Sequence, residues 1–230
     1  MSRKRPGPRA KRGDAPDAGD TRARRPRGLG LSRERIAAAA LALVDAEGAG
    51  ALTARRLAAA LGCEAMSLYH HMSGKDDILN AVVDALLGSL PGTAPGQAGD
   101  WRTAARSWAR AYLALAEAHP RAFVLVATRR WRTQAAIRVA GAGVALFQAA
   151  GFTPRAALRA ARTLGAYLNG AGLAAAAWRL DAAAGRGSAA PEAAAQPGLA
   201  GLAGASNERA VRADLEAGLD TLLDAIGGMV

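Results

Sequence analysis

The chain has 230 residues, of which 51% are hydrophobic but only 4% aromatic, with a net charge of +11. That length allows a small head plus one substantial core. Abundant Ala and the lack of strand-length β-branched runs favour an all-α fold over any sheet-built enzyme scaffold. Residues 1–30 hold ten Lys/Arg against three Asp, and so carry +7 of the charge. Pro6, Pro8, Pro16, Pro26 and several Gly forbid regular structure there, so this arm is expected to be disordered. It reads either as a solvated tail or as a source of salt-sensitive phosphate affinity.

Ser32 is a plausible N-cap for a first helix, with Glu34 in its opening turn and Ile36, Ala40, Leu43 and Val44 on one face. This helix ends near Glu47-Gly48-Ala49-Gly50. Thr53 caps a second, short helix closed by Gly62. A third runs through Glu64–Met72, and Ser73, with Asp76 three residues on, is expected to cap a fourth. Two short helices around a glycine turn, with an exposed aromatic on the second and a Lys beyond it, suit reading of a DNA major groove. Cys63 lies in that turn and reads as a small apolar plug. As the sole cysteine it excludes an intrachain disulfide and fits a reducing compartment.

Ile78, Val82 and Leu86 recur at four-residue spacing until Pro91-Gly92-Thr93-Ala94-Pro95-Gly96, read as a domain boundary. The expected domains are therefore a head over 31–90 and a core over 100–228. Asp100–Ala118 reads as a helix bearing Trp101, Trp108, Tyr112 and Leu115. His119-Pro120 interrupts it before a short apolar piece, Phe123–Val126, and helix resumes over Thr133–Ala150. Thr153-Pro154 marks the start of another, running to about Leu180. Its stretch Thr163–Trp178 is too short, too rich in Ala and Gly and too polar at Asn169 to cross a membrane, so it reads as buried helix. Residues 181–205 lack periodicity and read as a flexible loop. Asn207–Ile226 is the last helix. No apolar segment follows the basic N-terminus, so a cytoplasmic protein is expected.

Ala161, Gly165, Leu168, Gly172 and Ala176 lie near one face of the 154–180 helix, small enough for close helix approach. Val211, Leu215, Leu219, Leu222 and Ile226 stripe the last helix. These stripes either pack within one subunit or form an isologous four-helix bundle between two. The two-fold habit of helix–turn–helix proteins favours a homodimer through the 154–180 and 207–226 helices.

The motifs Leu31-Ser32-Arg33-Glu34, Leu52-Thr53-x-Arg55-x-Leu57-Ala58-x-x-Leu61-Gly62, Ser67-Leu68-Tyr69-x-His71 and Lys75-x-x-Ile78-Leu79 closely resemble the head of TetR-type bacterial transcriptional regulators. More loosely, His119, Thr128-Arg129, Ala150-Gly151-Phe152 and the Gly218-Leu219-x-x-Leu222-Leu223 helix resemble the core of the tetracycline-repressor branch. The resemblance implies that Thr53 caps the second helix and touches phosphate, while Arg55 reaches a guanine edge. It puts Ala65, Met66 and His70 on the groove-facing side and assigns Tyr69, His71 and Lys75 to phosphates. Ala65 and Met66 depart from the Gln and Pro of the tetracycline repressor, leaving fewer polar contacts to bases. The adjacent His70-His71 diverge on a helix and lack a third ligand, so no metal site is expected.

An effector pocket is implied in the core, with Trp108 and Tyr112 at ligand-facing positions and Leu125, Phe147, Tyr167 and Asn169 completing a mainly apolar cavity. Where that branch has a His and a Glu in its magnesium-tetracycline site, this chain has Leu125 and Ala174, which offer magnesium no oxygen donor. The expectation is a dimeric repressor of a palindromic operator, released by a small apolar or amphipathic molecule, needing no cofactor. The alternative is a small-molecule-binding or helical interaction protein without sequence-specific DNA binding. An enzyme ranks below both, since three His, one Cys and no phosphate loop leave no evident catalytic set.

Overall fold

The computed structural model describes residues 30–91, 100–129, 133–186 and 207–229. The basic arm and most of the 181–205 stretch fall outside them. The described residues are helical, without a strand: α1 (Arg33–Glu47), a 3-10 turn (Ala49–Ala51), α2 (Ala54–Leu61), α3 (Ala65–Leu68), α4 (Lys75–Gly88), α5 (Trp101–Ala118), α6 (Pro120–Thr128), α7 (Gln134–Ala149), α8 (Pro154–Ala183) and α9 (Glu208–Gly227). Helix starts follow capping chemistry. The side chains of Ser32, Thr53, Asp100, Thr133, Thr153 and Asn207 each accept a backbone N–H of the first turn.

Four expectations need correction. The third helix, expected through Glu64–Met72, is the single turn Ala65–Leu68, and Tyr69, His70 and His71 lie in the turn after it. The apolar piece after His119-Pro120 is a full helix, α6, because Pro120 fits the first helical position and its missing N–H costs nothing there. At α4 the cap residue is Gly74, at φ +154°, and it supplies no side-chain bond. The extra residue displaces Ser73 from the cap. Asp77, not Asp76, reaches back to accept from the Ser73 N–H (3.0 Å) and hydroxyl (3.2 Å). Finally, the small-residue stripe of α8 faces its own subunit. Leu168, Gly172 and Ala176 are buried, and a Cβ at Gly172 would fall on the ring of Phe123 in α6. The α9 stripe likewise turns Leu219 and Ile226 inward, with Leu223 beside them. The face of α8 left exposed carries Ala166, Gly170, Ala174 and Ala177.

One contiguous cluster of buried side chains runs from Ile36, Leu57 and Leu68 in the head to Tyr112, Phe123, Phe147 and Leu168 in the core. Trp101, Phe147 and Phe152 meet edge to face at 5.4–5.5 Å, closing the α5–α7 end. Along the α5–α9 seam run the ion pairs Arg102–Asp224 (3.4 Å), Arg106–Asp220 (2.8 Å) and Arg110–Glu216 (3.7 Å). Each is exposed and contributes little singly, but the four-residue steps on both helices fix one antiparallel register.

Candidate nucleic-acid interface and effector cavity

In the head, Thr53 Oγ1 accepts from the Arg56 N–H at 3.3 Å and starts α2. Gly62, at φ +67°, ends it, with the Cys63 N–H donating back to the Ala58 carbonyl at 3.0 Å. That left-handed turn sends the chain into α3. Leu68 and Met72 anchor α3 in the core at 0% and 2% exposure, and Cys63 packs partly buried beside them. The opposite side is consequently turned out: Met66 is 69% and Tyr69 48% exposed, and His70 and His71 are exposed with them. Arg55 and Lys75, first residue of α4, are exposed as well, and Ala65 is half-buried.

Salt links hold this frame. Arg33 at the start of α1 forms a two-pronged pair with Asp77, Nη1 to Oδ2 at 2.9 Å, and also contacts Met72 Sδ at 3.3 Å. The Arg33 hydrogen bond holds the Asp77 carboxyl well below the usual carboxylate range, against a smaller burial effect. Arg56 pairs with Glu47 and so ties α2 to the end of α1.

Beside the shared apolar cluster, polar junctions tie head to core at each end of α6 among the described residues. Asp45 of α1 takes His119 Nδ1 at 2.7 Å on its carboxylate and Arg121 Nη1 at 2.9 Å on its backbone carbonyl. Arg129, just past α6, donates to Asn80 Oδ1 (3.2 and 3.1 Å) and Asp76 Oδ1 (3.2 Å), both on α4.

The core holds a half-open cavity of about 570 Å³ lined from α5, α6, α7 and α8, within the size range of small-molecule sites. Of the residues expected there, Trp108, Phe147 and Asn169 line it. Tyr112 stands behind them. It is buried, stacked on Trp108 with centroids 5.5 Å apart, and donates its hydroxyl to Asn169 Oδ1 at 2.7 Å. Burial pushes its phenol upward, so it remains a neutral donor. Leu125 is buried in α6 but is not part of the cavity wall. Tyr167 points elsewhere: its hydroxyl donates to the Leu215 carbonyl, and a Cβ at Gly218 would lie 2.6 Å from it. It therefore docks α9, because two residues along α8 separate it from Asn169 by about 200° around the helix. Sequence reasoning missed Arg129, Arg162 and Leu158, which also line the cavity, and placed Ala161 and Gly165 of its wall at a partner surface. A Cβ at Gly143 of α7 would stand 3.7 Å from the Cβ of Ala161 on α8, an ordinary contact between two residues of the lining. Among the described residues no group of three or more His, Cys, Asp or Glu is placed to hold a metal ion.

This architecture has recognisable relatives. The model for bacterial regulatory proteins of the tetR family matches residues 36–82, and that for the tetracycline-repressor-like C-terminal domain matches 93–229. The HTH-type transcriptional repressor DrrR1 of Streptomyces coeruleorubidus is 38% identical over 90 residues, covering 39% of this chain and 33% of that one. The chain spans less than two thirds of the length of the curated relatives it matches. A possible TetR family transcriptional regulator from Streptomyces coelicolor A3(2) is 28% identical at a TM-score of 0.73, covering 86% of this chain and all of that one. ActR of Streptomyces coelicolor, in complex with actinorhodin, shares the fold at 24% identity and a TM-score of 0.71, over 86% of this chain and 96% of that one. The chain thus belongs to the tetR family of bacterial regulatory proteins and carries a tetracycline-repressor-like C-terminal domain.

Proposed function

We propose that the chain is a ligand-responsive transcriptional repressor that binds a palindromic operator as a homodimer and is released by a small apolar or amphipathic molecule. The observation that carries this reading is continuity between cavity and head: Arg129 lines the cavity and also holds α4, whose first residue is Lys75. On DNA, Arg55 reads a base edge, and the exposed Met66 suits a thymine methyl better than a hydrogen-bonding edge. Ala65 and His70 share that side, while Thr53, Tyr69, His71 and Lys75 grip phosphates. In the core, Trp108, Phe147 and Asn169 touch the effector, and Tyr112 positions Asn169. Dimerisation uses the face of α8 bearing Ala166, Gly170, Ala174 and Ala177, together with α9.

Repression then needs only occlusion of a promoter. Induction is a population shift whose size equals the effector's differential affinity for the two head arrangements. Selecting bound duplexes from a random DNA pool tests the reading. Enrichment of a palindrome with half-sites about one helical turn apart is expected. Binding without an enriched sequence would reduce the DNA affinity to charge and leave a ligand-binding or helical interaction protein.

A further inference from the structure

The polar side chains lining the cavity are Trp108, Arg129, Arg162 and Asn169, and among the described residues no carboxylate lines it. All four are hydrogen-bond donors; Nε and Nη2 of Arg129 are now engaged by Asn80 and Asp76 on α4, and Arg162 is exposed. The Oδ1 of Asn169 is already taken by Tyr112, which leaves its amide N–H groups for the cavity. Arg162 makes no ion pair among the described residues, and the one carboxylate paired with Arg129, that of Asp76, is 89% exposed to water. A cavity lined by two guanidinium groups and no carboxylate disfavours cations. It is electrostatically and geometrically matched to a flat anion, since guanidinium accepts carboxylate or sulfonate in a two-pronged geometry.

We propose that the effector is an aromatic acid, its ring system seated against Trp108 and Phe147 and its anionic group taken by Arg129 and Arg162. This rests on the cavity being the effector site. It also supplies the trigger. The donors that Arg129 turns to the ligand's anion are those now spent on Asp76 and Asn80, so capture of the anion loosens α4. By reciprocity, whatever weakens the grip of Arg129 on α4 tightens the anion.

The test uses the full chain and two dyes of nearly equal ring content, 1-anilinonaphthalene-8-sulfonate and the neutral N-phenyl-1-naphthylamine, each titrated by fluorescence. Gly165→Leu locates the site: a Cβ at Gly165 meets nothing within 4 Å, so the helix tolerates the change while leucine fills the cavity, and both dyes are expected to be lost. Arg129→Gln and the exposed Arg162→Gln should each weaken the sulfonate about tenfold, the scale of a charge-assisted hydrogen bond, and leave the neutral dye within about twofold. Asn80→Ala removes an uncharged competitor for Arg129 and should tighten the sulfonate severalfold, which a general electrostatic attraction would not do. Arginine variants that shift both dyes alike, or neither, overturn the anionic effector while the cavity remains a ligand site. An unchanged sulfonate affinity in Asn80→Ala overturns the trigger. Dyes that bind Gly165→Leu as they bind the parent place the ligand elsewhere and overturn the cavity reading itself.

Discussion

Lys75 offers the sharpest quantitative test of the DNA face. It is exposed, it opens α4, and its neighbours Asp76 and Asp77 have their charges offset by Arg129 and Arg33. The N-terminus of α4 can therefore present its N–H groups and one ammonium to a phosphate with little repulsion. Each phosphate neutralised contributes about 0.9 to the slope of log K against log salt, so a two-fold dimer in Lys75→Ala should lose about 1.8. Between about 50 and about 200 mM salt, a fourfold rise, the parent should then lose about twelvefold more affinity than the variant. Fluorescence anisotropy on a labelled operator, titrated at four salt concentrations, reads both slopes. Parallel lines would refute the assignment, since a phosphate contact cannot be removed without releasing fewer counterions. A slope change of about 0.9 would keep Lys75 at phosphate but remove the symmetric dimer.

Other substitutions test separate steps. Arg55→Ala should cost about 1–3 kcal/mol on the cognate operator and relax preference at one base pair, as a repeat of the duplex selection would register. Because Arg33 holds the Asp77 carboxyl below its ordinary value of 3.8, this pair stabilises the fold above that pH. Its contribution drains as pH falls from about 4 towards the depressed folded value, so the parent's melting temperature should fall more steeply there than that of Asp77→Asn. In Gly172→Ala the new methyl meets the buried Phe123 ring. Overpacking costs about 1–3 kcal/mol, more than the roughly 1 kcal/mol of helix propensity gained, so a lower denaturant midpoint is expected. Magnesium-tetracycline should leave the operator complex intact, since two arginines and no carboxylate line the cavity; release at micromolar drug would contradict that lining.

Much of the helix plan was legible because capping residues and apolar periodicity are local. Ser32, Thr53 and the Thr153-Pro154 pair each begin a helix where a side-chain acceptor and a compatible backbone coincide. What escaped was direction around a helix. On α8, Tyr167 and Asn169 are two residues apart and face different neighbours, α9 and the cavity, and composition alone does not say which face meets which. The same ambiguity sent Gly165 to a partner surface when it borders the cavity. Arg129 was visible as part of a motif, yet its partners Asp76 and Asn80 lie about fifty residues away, a distance no local pattern bridges. The Ser73 cap failed for a subtler reason, since Gly74 adopts a conformation that inserts one residue before α4 begins.

The two contacts that bracket α6 differ in a way that bears on control. At its start, the Asp45 carboxylate is 27% exposed and shares His119 and Arg121 between carboxylate and backbone, a junction with more than one bond to break. At its end, Arg129 meets a carboxylate that is 89% exposed, and such pairs contribute at most about 1 kcal/mol. Its remaining holds on α4 are the amide oxygen of Asn80 and, at 3.4 Å, the backbone carbonyl of Asp76, both neutral acceptors. A nine-residue helix is about 13 Å long, so yielding at one end while the other stays pinned turns it rather than translating it. The head is not free to ignore that turn, because α1 and α4 share one buried cluster with α6. Couplings between sites of about 1–3 kcal/mol are enough for regulation, and the Arg129 contact falls near the lower part of that range. A clamp much stronger would need an effector of improbable affinity to open it, and one much weaker would leave the heads uncoupled from the cavity. On the proposed mechanism, binding energy from the core has its outlet at the α6–α4 junction, with α1 as the fixed side of the hinge.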